Sequence, residues 1–553
     1  MIAARLTEGN VVVRGAGTAL LRAKTELVRV LGDAVIRAQD GGALSFSASF
    51  CGACFDVLSG FQVDHELASI IEGWRCHAAA VVRARAILEA GAYQPPHEWA
   101  AKLDPHQTLA LGVLVEPGLK GACLFDEQGT GKTVVALAAF DVLARCGDIA
   151  QLIVLCPKSM IASWQREAER FLGATYRVAD VSAAGYARRD WSKANIIVAN
   201  FDALPRAGVK IGGFARARRT LLVVDESYYV KSDKSERTYL ALALREFCVR
   251  AFVLCGTPAP NAALDLLSQF DLADAGFTFG PVRPVSGELI RSRIASRGVV
   301  VRRLKSDVMP ELAPKVFIPH RVVLSVRQRW LYDRASNGQW LETRGVDAKV
   351  IRWPLRSQFQ RRAWQFKICN SPSAIDPTCT SNAKLEALDR ILNNLVSQRG
   401  EKVVVWSHLS QPITEMMQRY SAYRPVCITG ETSIEGRTDA VDRFQTDPFV
   451  KLFIGNPAAA GAGITLTAAS NVLYYSLSNR AADVMQSLDR VHRRGQRAAA
   501  INVYVLIAEN TVEELAWENV ACHARGQAEV LGDDAPALSG FAPTEGESED
   551  DAA

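Results

Sequence analysis

The chain has 553 residues, of which 49% are hydrophobic and 22% are charged, with 64 Lys and Arg against 59 Asp and Glu. This composition supports large buried cores and excludes a chain that is disordered throughout, and the length favours about three domains. Because no apolar run approaches the roughly 18 residues of a membrane span, we expect a soluble protein with no membrane partner.

The predicted elements begin with a strand-like run at 10–13 and helix-like patterns at 18–38 and 64–91. Five short apolar runs follow between longer amphipathic segments, at 121–125, 152–156, 195–199, 221–224 and 252–255. A second series of such runs lies at 402–406, 425–428, 451–455, 471–475 and 502–507. Strand-length runs that alternate with helix-length segments predict parallel sheets covered by helices.

The predicted fold class is therefore α/β, with two parallel-sheet domains in tandem, helical insertions and a small N-terminal domain. The expected domains are an accessory domain at 1–90, a first sheet domain at 91–320, a helical insertion or linker at 321–400, a second sheet domain at 401–530 and a tail at 531–553. From Asp533 onward there are seven acidic and no basic residues, so the net charge of +5 becomes +12 when that segment is left out. A basic body with an acidic, disordered tail favours a polyanionic partner.

The segment Asp126-Glu-Gln-Gly-Thr-Gly-Lys-Thr133 follows the run at 121–125 and opens an apolar helix. Glycines let backbone N–H groups turn toward phosphate oxygens, a lysine supplies positive charge, and a Thr hydroxyl can bind Mg²⁺. The strict eight-residue pattern has Gly where Asp126 stands, but the other features are present. The predicted nucleotide-binding residues here are Gly129, Thr130, Gly131, Lys132 and Thr133.

Two further patterns carry chemistry that would complete phosphoryl transfer. Asp225 and Glu226 follow the run at 221–224, where Asp225 can hold Mg²⁺ and Glu226 can orient or deprotonate the attacking water. Gln486, Arg490 and Arg493 are spaced to share one face of a helix, and two arginines there could act as arginine fingers on ATP. Taken alone, each pattern also fits an ordinary loop or a solvated basic helix.

In its combination of motifs the chain resembles the Swi/Snf family of superfamily-two helicase-like, DNA-dependent ATPases. The matching stretches are LDPHQ (103–107), DEQGTGKT (126–133), PKSMIASWQREAERF (157–171), VANFDAL (198–204), DESYYVK (225–231), CGTPAPN (255–261), VRRLKSDVMPELAPK (301–315), KVVVWSHL (402–409), ITGETSIEGR (428–437), AAAGAGITLTAAS (458–470), QSLDRVHRRGQ (486–496) and TVEE (511–514). The resemblance covers about residues 100–515 and implies two RecA-like domains that use ATP and Mg²⁺.

The resemblance also implies roles for single residues. Gln107 would read the adenine, Lys132, Thr133, Asp225 and Glu226 would handle phosphate, Mg²⁺ and water, and Thr257 would help to couple the domains. Gly461 and Gly463 would lie near the nucleotide, and Arg490 and Arg493 would be fingers. The residues implied in the nucleic-acid track are Lys158, Ser159, Trp164, Asn200, Ser407, His408 and Thr465. The family usually has His at the place of Tyr228, which puts the efficiency of coupling in doubt.

Two basic segments bear on the partner: the region of Arg291, Arg293, Arg297, Arg302, Arg303 and Lys305, and the Arg- and Trp-containing stretch at 351–367. Such segments suit contacts to a phosphate backbone, but the second equally fits an amphipathic helix with aromatic residues in a core. No motif that reads bases is evident. We therefore expect sequence-independent binding of double-stranded DNA.

The leading hypothesis is an ATP-dependent double-stranded DNA translocase or remodeller that acts as a monomer, with 1–90 as a possible site for a protein partner. The alternatives are a strand-separating DNA or RNA helicase and a nucleic-acid-binding scaffold with an inactive ATP site. Scattered cysteines, several in apolar runs, and an N-terminus without a long apolar segment favour a cytoplasmic bacterial or phage protein, or a nuclear one in a eukaryote. A role in DNA repair, replication or defence fits this interpretation.

Overall fold

A computed structural model shows two compact units, one formed by 2–308 with 529–533 and the other by 309–528. The residues that the structure describes are 2–39, 42–181, 191, 193–260, 262–338, 341–344, 350–353, 357–459, 464–478 and 480–533. The predicted acidic tail beyond Asp533 and the predicted nucleotide-binding residues Gly461 and Gly463 lie outside them. None of the described helices has the length and apolarity required to cross a membrane.

The first unit begins with a five-stranded sheet in the order β3-β4-β2-β1-β5, packed with three helices. These elements are β1 (Ala3–Thr7), β2 (Asn10–Arg14), α1 (Gly17–Leu31), β3 (Arg37–Ala38), β4 (Leu44–Ser47), α2 (Cys51–Leu58), β5 (Gln62–Val63) and α3 (His65–Ala90). Asp64 caps α3 by accepting from Leu67 N at 2.9 Å, and its other oxygen accepts from Leu6 N at 3.0 Å. One carboxylate thus joins the start of α3 to β1.

A buried histidine connects α3 to the rest of the first unit. His77 is 1% exposed, its Nδ1 accepts from Lys120 N at 3.1 Å, and its ring lies 4.6 Å from that of Phe277. Burial, with the positive charge of Lys120 adding to it, lowers the pKa of His77 from 6.5 to about 3. The folded protein therefore keeps this imidazole neutral at pH values where the unfolded chain protonates it.

We expect His77 to make the free energy of unfolding depend on pH. The unfolded chain binds a proton below pH 6.5 that the folded chain does not bind until about pH 3, so stability is complete above pH 6.5 and falls as the pH is lowered, by at most about 1.4 kcal/mol per pH unit from this group. Urea unfolding at pH values from 7 downward should show a shallower pH dependence for His77→Asn than for the wild type. Equal slopes would contradict this account.

The central sheet of the first unit has seven strands in the order β12-β6-β11-β10-β7-β9-β8, and all its pairs are parallel. Its strands are β6 (Gly121–Leu124), β7 (Gln151–Cys156), β8 (Val178–Asp180), β9 (Ile196–Asn200), β10 (Thr220–Asp225), β11 (Arg250–Leu254) and β12 (Val300–Val301). The accompanying helices are α4 (His97–Ala100), α5 (Pro105–Leu114), α6 (Lys132–Arg145), α7 (Ile161–Leu172), α8 (Leu204–Ala217), α9 (Glu236–Arg245), α10 (Leu267–Asp274), α11 (Gly287–Arg297) and α12 (Lys305–Val308). Alternate residues of β7 enter two different core clusters, which explains why its sequence is apolar throughout.

The second unit contains a six-stranded parallel sheet in the order β13-β20-β19-β16-β18-β17, and a separate antiparallel pair, β14 and β15. Its strands are β13 (Lys315–Val322), β14 (Leu341–Arg344), β15 (Val350–Trp353), β16 (Val403–Trp406), β17 (Val426–Ile428), β18 (Leu452–Gly455), β19 (Asn471–Tyr474) and β20 (Ile501–Ala508). Its helices are α13 (Val326–Ser336), α14 (Gln358–Asn370), α15 (Ala383–Leu392), α16 (Ser410–Arg419), α17 (Ile434–Thr446) and α18 (Ala481–Leu488), and α19 (Val512–Leu531) begins in it. The predicted α/β class with two parallel sheets is confirmed.

At β13 the boundary between the two sheet domains lies earlier in the chain than the sequence predicted. The first sheet domain was expected to extend to residue 320, but β13 pairs with β20 along eight residues and so belongs to the second sheet. β13 is an edge strand whose residues, apart from Val322, are half-buried or exposed. It therefore lacks the apolar run that marks the inner strands. The segment predicted as a helical insertion contains the β14–β15 pair besides its helices.

Candidate nucleotide-binding site

Five of the loops that carry predicted site residues meet at one edge of the first sheet. The phosphate loop follows β6, Lys158 and Ser159 follow β7, Asn200 ends β9, Asp225 ends β10 and Thr257 follows β11. The carboxyl ends of parallel strands lie at a common edge, which is where α/β sheets bind ligands. The sheet order places β11 between β6 and β10, so the motif containing Thr257 lies between the phosphate loop and the acidic pair.

The phosphate loop depends on glycine at two positions. Gly129 and Gly131 have φ of 86° and 93°, in the left-handed region that favours glycine. At Gly131 a Cβ would also lie 2.2 Å from Nε2 of Gln107. The helix α6 begins directly after this turn, so its first N–H groups and positive end face the loop, as at other phosphate sites.

Gln107 supports this loop from α5. Its Nε2 donates to Thr130 O at 2.9 Å, its Oε1 accepts from Asp104 N at 3.0 Å, and Nε2 of the neighbouring His106 lies 3.0 Å from the same Thr130 oxygen. Both ends of the Gln107 amide are therefore used inside the protein. That Gln107 also reads the adenine stays a prediction.

Lys132 lies inside the loop with its charge directed at backbone oxygens. Its Nζ donates to Asp126 O at 2.6 Å and to Glu127 O at 3.0 Å, and the side chain is 8% exposed. Among the described residues no carboxylate forms an ion pair with it. A buried ammonium group that donates to carbonyl oxygens and forms no ion pair with a described residue, beside a helix N-terminus, fits the triphosphate of ATP.

The acidic pair at the end of β10 is held from both sides. Asp225 accepts from Trp164 Nε1 at 2.8 Å and from Glu226 N at 2.9 Å, while Glu226 Oε1 accepts from Gln128 Nε2 at 2.7 Å. Burial raises the pKa of Asp225, an effect that the indole N–H and the charge of Lys132 oppose. The carboxylate of Asp225 and the hydroxyl of Thr133, in the first turn of α6, are oxygen donors of the kind that Mg²⁺ prefers, so these residues fit the predicted metal.

A polar link joins the acidic pair to the motif after β11. Ser227 donates to Gln269, whose Nε2 donates to Pro258 O at 2.6 Å. Thr257 is 1% exposed, and its Oγ1 has no hydrogen-bond partner within the part of the chain that the structure describes. A buried hydroxyl in this state is suited to respond to a ligand or to a change in the loop.

The structure explains why Asp126 replaces the glycine of the strict phosphate-loop pattern. Arg303 donates to both Asp126 oxygens, at 3.1 and 2.9 Å, and also to His106 O. Lys305 N donates to Glu127 Oε2 at 2.7 Å, so the first part of the motif at 301–315 lies beside the phosphate loop. Sequence reasoning missed this support because the pair is 177 residues apart along the chain.

We expect Asp126→Gly to weaken the protein although it completes the generic pattern. The change would leave the Arg303 guanidinium without its carboxylate and should lower the free energy of unfolding by about 2–3 kcal/mol, with a fall in ATP turnover. Asp126→Asn, which keeps one acceptor oxygen, should cost less. Urea unfolding monitored by tryptophan fluorescence checks this, and an Asp126→Gly protein as stable and active as the wild type would contradict it.

The first basic segment was expected to contact DNA, but most of its side chains bind groups within the protein. Arg302 forms an ion pair with Asp533 at 2.8 Å and donates to Phe125 O at 2.6 Å, both side chains being nearly buried. Arg293 donates to Phe279 O and Val282 O, and Arg297 to Gly52 O. Arg303 pairs with Asp126, so most of these guanidinium groups are used inside the protein, where they hold loops in place. Arg291 is exposed beside Glu529, and its predicted contact with DNA stays a prediction.

The structure also corrects the role that was predicted for Trp164. It was predicted to lie in the nucleic-acid track, but it is 1% exposed and donates to Asp225 from within the core. It therefore positions the acidic pair. Lys158 and Ser159 are exposed beside it, and Asn200 is 8% exposed at the end of β9; their predicted DNA contacts stay predictions.

In the second unit the predicted helical face is interrupted. α18 ends at Leu488, so Gln486 lies on the helix while Arg490 and Arg493 lie in the turns after it. Arg490 O accepts from Leu466 N at 2.8 Å, and Val491 is fully buried in the core cluster. That hydrogen bond joins the segment after α18 to the loop before β19. Arg493 Nη1 donates to Ile464 O at 3.1 Å and to Thr465 Oγ1 at 3.0 Å.

The other predicted residues of the second unit lie around the carboxyl end of β16. Ser407 is buried and donates to Leu409 O at 2.8 Å, while His408 is exposed and its carbonyl accepts from Asn456 Nδ2 at 2.8 Å. Thr465 Oγ1 accepts from the Arg493 guanidinium, and the predicted DNA contact of Thr465 stays a prediction. The structure thus brings Thr465 and Arg493 together, a pairing that the sequence did not predict.

The aromatic and basic stretch at 351–367 is partly described. Trp364 and Phe366 pack against a core cluster of the second unit, whereas Phe359 is 84% exposed. The amphipathic-helix interpretation therefore holds for the C-terminal part of the stretch, which is α14. Residues 354–356 lie outside the described residues.

Several known protein families, sequences and structures are similar to this chain. The family model "SNF2-related domain" matches residues 105–278, and "Helicase conserved C-terminal domain" matches 383–495. An "Uncharacterized ATP-dependent helicase" of Mycoplasma pneumoniae is 26% identical over 412 residues, covering 71% of this chain and 38% of the relative. "SWI/SNF-related matrix-associated actin-dependent regulator of chromatin subfamily A member 1" of Mus musculus is 27% identical over 439 residues, covering 72% of this chain and 40% of the relative. A solved structure, "Sulfolobus solfataricus SWI2/SNF2 ATPase core in complex with dsDNA", matches 80% of this chain and 94% of its own at 20% identity and a TM-score of 0.35.

Two parallel sheets with a phosphate loop and an acidic pair on the first define a helicase-like ATP hydrolase. The matches confirm the predicted resemblance to the Swi/Snf family, because the chain contains an SNF2-related domain and a helicase C-terminal domain and is similar in sequence to a SWI/SNF-related protein. It spans less than half the length of the two curated relatives.

Proposed function

We propose that this protein uses the hydrolysis of ATP to move along double-stranded DNA. The observation that carries the proposal is the convergence of Lys132, Asp225 and Glu226 at the carboxyl edge of one parallel sheet. Lys132 binds phosphate oxygens, and Glu226, oriented by Gln128, positions or deprotonates the attacking water.

Thr133 and Asp225 would hold Mg²⁺, which would neutralise negative charge on the phosphates during transfer. Trp164 fixes Asp225 through its indole N–H, so the carboxylate does not have to reorganise when the metal binds. Arg490 and Arg493 supply further positive charge to the transferring phosphoryl group, as arginine fingers do. The Arg493 guanidinium is held by the loop before β19, which restricts its orientation.

Double-stranded DNA is the proposed partner because the described part of the chain shows no base-reading motif and carries exposed residues, Lys158 and Ser159, at the same sheet edge as the ATP site. Such residues would contact the phosphate backbone, so binding would be independent of sequence and would weaken as salt rises. The relatives' names, which include an ATP-dependent helicase and a regulator of chromatin, support a motor on nucleic acid.

The experiment is an ATPase assay with duplex, forked and single-stranded DNA and with RNA, on the wild type and Lys132→Ala. We expect duplex DNA to stimulate hydrolysis most and Lys132→Ala to abolish it, because the ammonium group no longer meets the phosphates. Lys193→Ala, which changes an exposed lysine away from this sheet edge, should retain full activity.

Stronger stimulation by single strands or RNA would favour a strand-separating or RNA-directed helicase. No turnover with any nucleic acid would favour a scaffold with an inactive site. Turnover that survives Lys132→Ala would contradict the assignment of the phosphate loop.

A further inference from the structure

A cavity lies at the opposite edge of the first sheet, where the parallel strands begin. It has a volume of about 870 Å³ and is lined by Lys120 before β6, Arg219 before β10 and Arg250 at the start of β11. Its other wall includes Ser47 and Phe50, at and just beyond the end of β4. The cavity is thus formed between the N-terminal sheet and the ATPase sheet, on the side away from the phosphate loop.

Positive charge exceeds negative charge around this cavity. Its lining has five cationic side chains, Lys120, Arg219, Arg245, Arg250 and Arg283, and three carboxylates, Asp148, Glu246 and Asp271. Asp271 is paired with Arg283. Within the described residues, none of the other four cations forms an ion pair with a carboxylate. The lining therefore carries two more positive than negative charges, although Asp148 and Glu116 lie close enough to Arg250 to stabilise part of its charge.

Arg250 is the cation of this cavity that is best placed to bind a ligand. It is 6% exposed, and its guanidinium donates one hydrogen bond, from Nη1 to Leu114 O at 2.8 Å. Burial lowers the pKa of Arg250 to about 10, because a charged group is disfavoured where water is largely excluded. Its neighbour Lys120 lies over the Trp74 ring at 4.5 Å, and burial lowers its pKa also. A buried guanidinium with unused donors is suited to bind an anion.

By contrast, Arg245 is satisfied without a ligand. It is 5% exposed and donates to Leu272 O at 2.8 Å and to Cys248 O at 2.7 Å, so it fixes the wall of the cavity. Phe50, Leu119, Ile149 and Leu242 give the lining an apolar part. The volume lies within the range of about 300–1,000 Å³ that small-molecule sites occupy.

We propose that this cavity binds a small molecule with a diphosphate group, held by Lys120 and Arg250. The diphosphate is the shared chemistry of two sources, a nucleotide and an inorganic polyphosphate. The apolar lining would accommodate the organic part of a nucleotide. The site is distinct from the proposed ATP site, which lies at the other edge of the sheet.

The test is calorimetric titration of inorganic pyrophosphate into the full chain carrying Lys132→Ala, which removes phosphate binding at the phosphate loop. We expect one equivalent to bind, and at least tenfold weaker binding when Arg250→Gln or Lys120→Gln is added. Arg206→Gln, an exposed arginine on α8 that does not line the cavity, is the matched control and should leave the affinity unchanged. Lys120→Gln keeps the test valid if Arg250→Gln fails to fold.

A parallel titration with uridine diphosphate distinguishes the two sources. Tighter binding than pyrophosphate indicates a nucleotide, and equal binding indicates an inorganic polyphosphate. No binding by the Lys132→Ala chain, or equal affinity in the cavity variants and the control, would overturn the proposal. Because the phosphate loop is disabled throughout, these outcomes do not depend on whether the chain moves along DNA.

Discussion

Replacing Arg493 or Arg490 by alanine should lower the rate of ATP turnover by about three orders of magnitude while ATP binding stays nearly unchanged. An arginine finger contributes a factor of about 10³–10⁵ because it meets negative charge that develops only during phosphoryl transfer. Steady-state hydrolysis with saturating duplex DNA measures the rate, and titration with a fluorescent ATP analogue measures binding. The two readouts together separate a loss of catalysis from a loss of binding.

The control for this prediction is Arg497→Ala, which removes an exposed arginine a few residues further along the same segment. Arg493→Lys is also informative, because a lysine keeps the charge but cannot reproduce the two-pronged geometry of a guanidinium. We expect Arg497→Ala to behave as the wild type and Arg493→Lys to recover little activity. Turnover that is unchanged in both Arg490→Ala and Arg493→Ala would show that these residues are structural.

The second large effect on ATP hydrolysis is expected when Glu226 is replaced by glutamine. In Glu226→Gln the Oε1 atom can still accept from Gln128 Nε2, which lies 2.7 Å away in the wild type, so the local structure should persist. The amide cannot take a proton from water, and loss of a general base lowers rates by about 10²–10⁴-fold. We therefore expect ATP to bind and to remain largely unhydrolysed, which single-turnover measurement of phosphate release would show.

Glu169→Gln, an exposed position on α7, is the matched control for the change of charge. It should leave phosphate release unaltered. If Glu226→Gln hydrolysed ATP at the wild-type rate, the water-activating role would have to pass to another group, and the role proposed for the acidic pair would reduce to metal binding.

The inner strands of both sheets could be predicted because they are buried on both faces and so are apolar throughout. All ten apolar runs correspond to strands, from β6 to β20. In these two sheets the strands that the sequence did not predict are β8, β12 and β13, and all three lie at sheet edges. β12 has two residues, and β13 exposes much of its length to solvent, so neither carries the pattern that marks a central strand.

The candidate site was predictable where its residues are consecutive and less so where it depends on distant contacts. The phosphate loop and the acidic pair each follow a strand, so their places were set by local sequence. The bond from Trp164 to Asp225 and the pair of Arg303 with Asp126 join residues far apart in the chain. The hydrogen bonds that hold the segment after α18, from Leu466 N to Arg490 O and from Arg493 to Thr465, likewise join residues distant in sequence.

The proposal that hydrolysis drives movement along DNA is tested most directly by displacement of a third strand from a duplex. A triplex-forming oligonucleotide is bound at the end of a duplex extension, and its release is followed with ATP, without ATP and with the Glu226→Gln protein. We predict release that needs ATP and an intact Glu226, with the underlying duplex remaining paired. ATP hydrolysis stimulated by the duplex but without release of the third strand, or with separation of the duplex strands, would contradict the account.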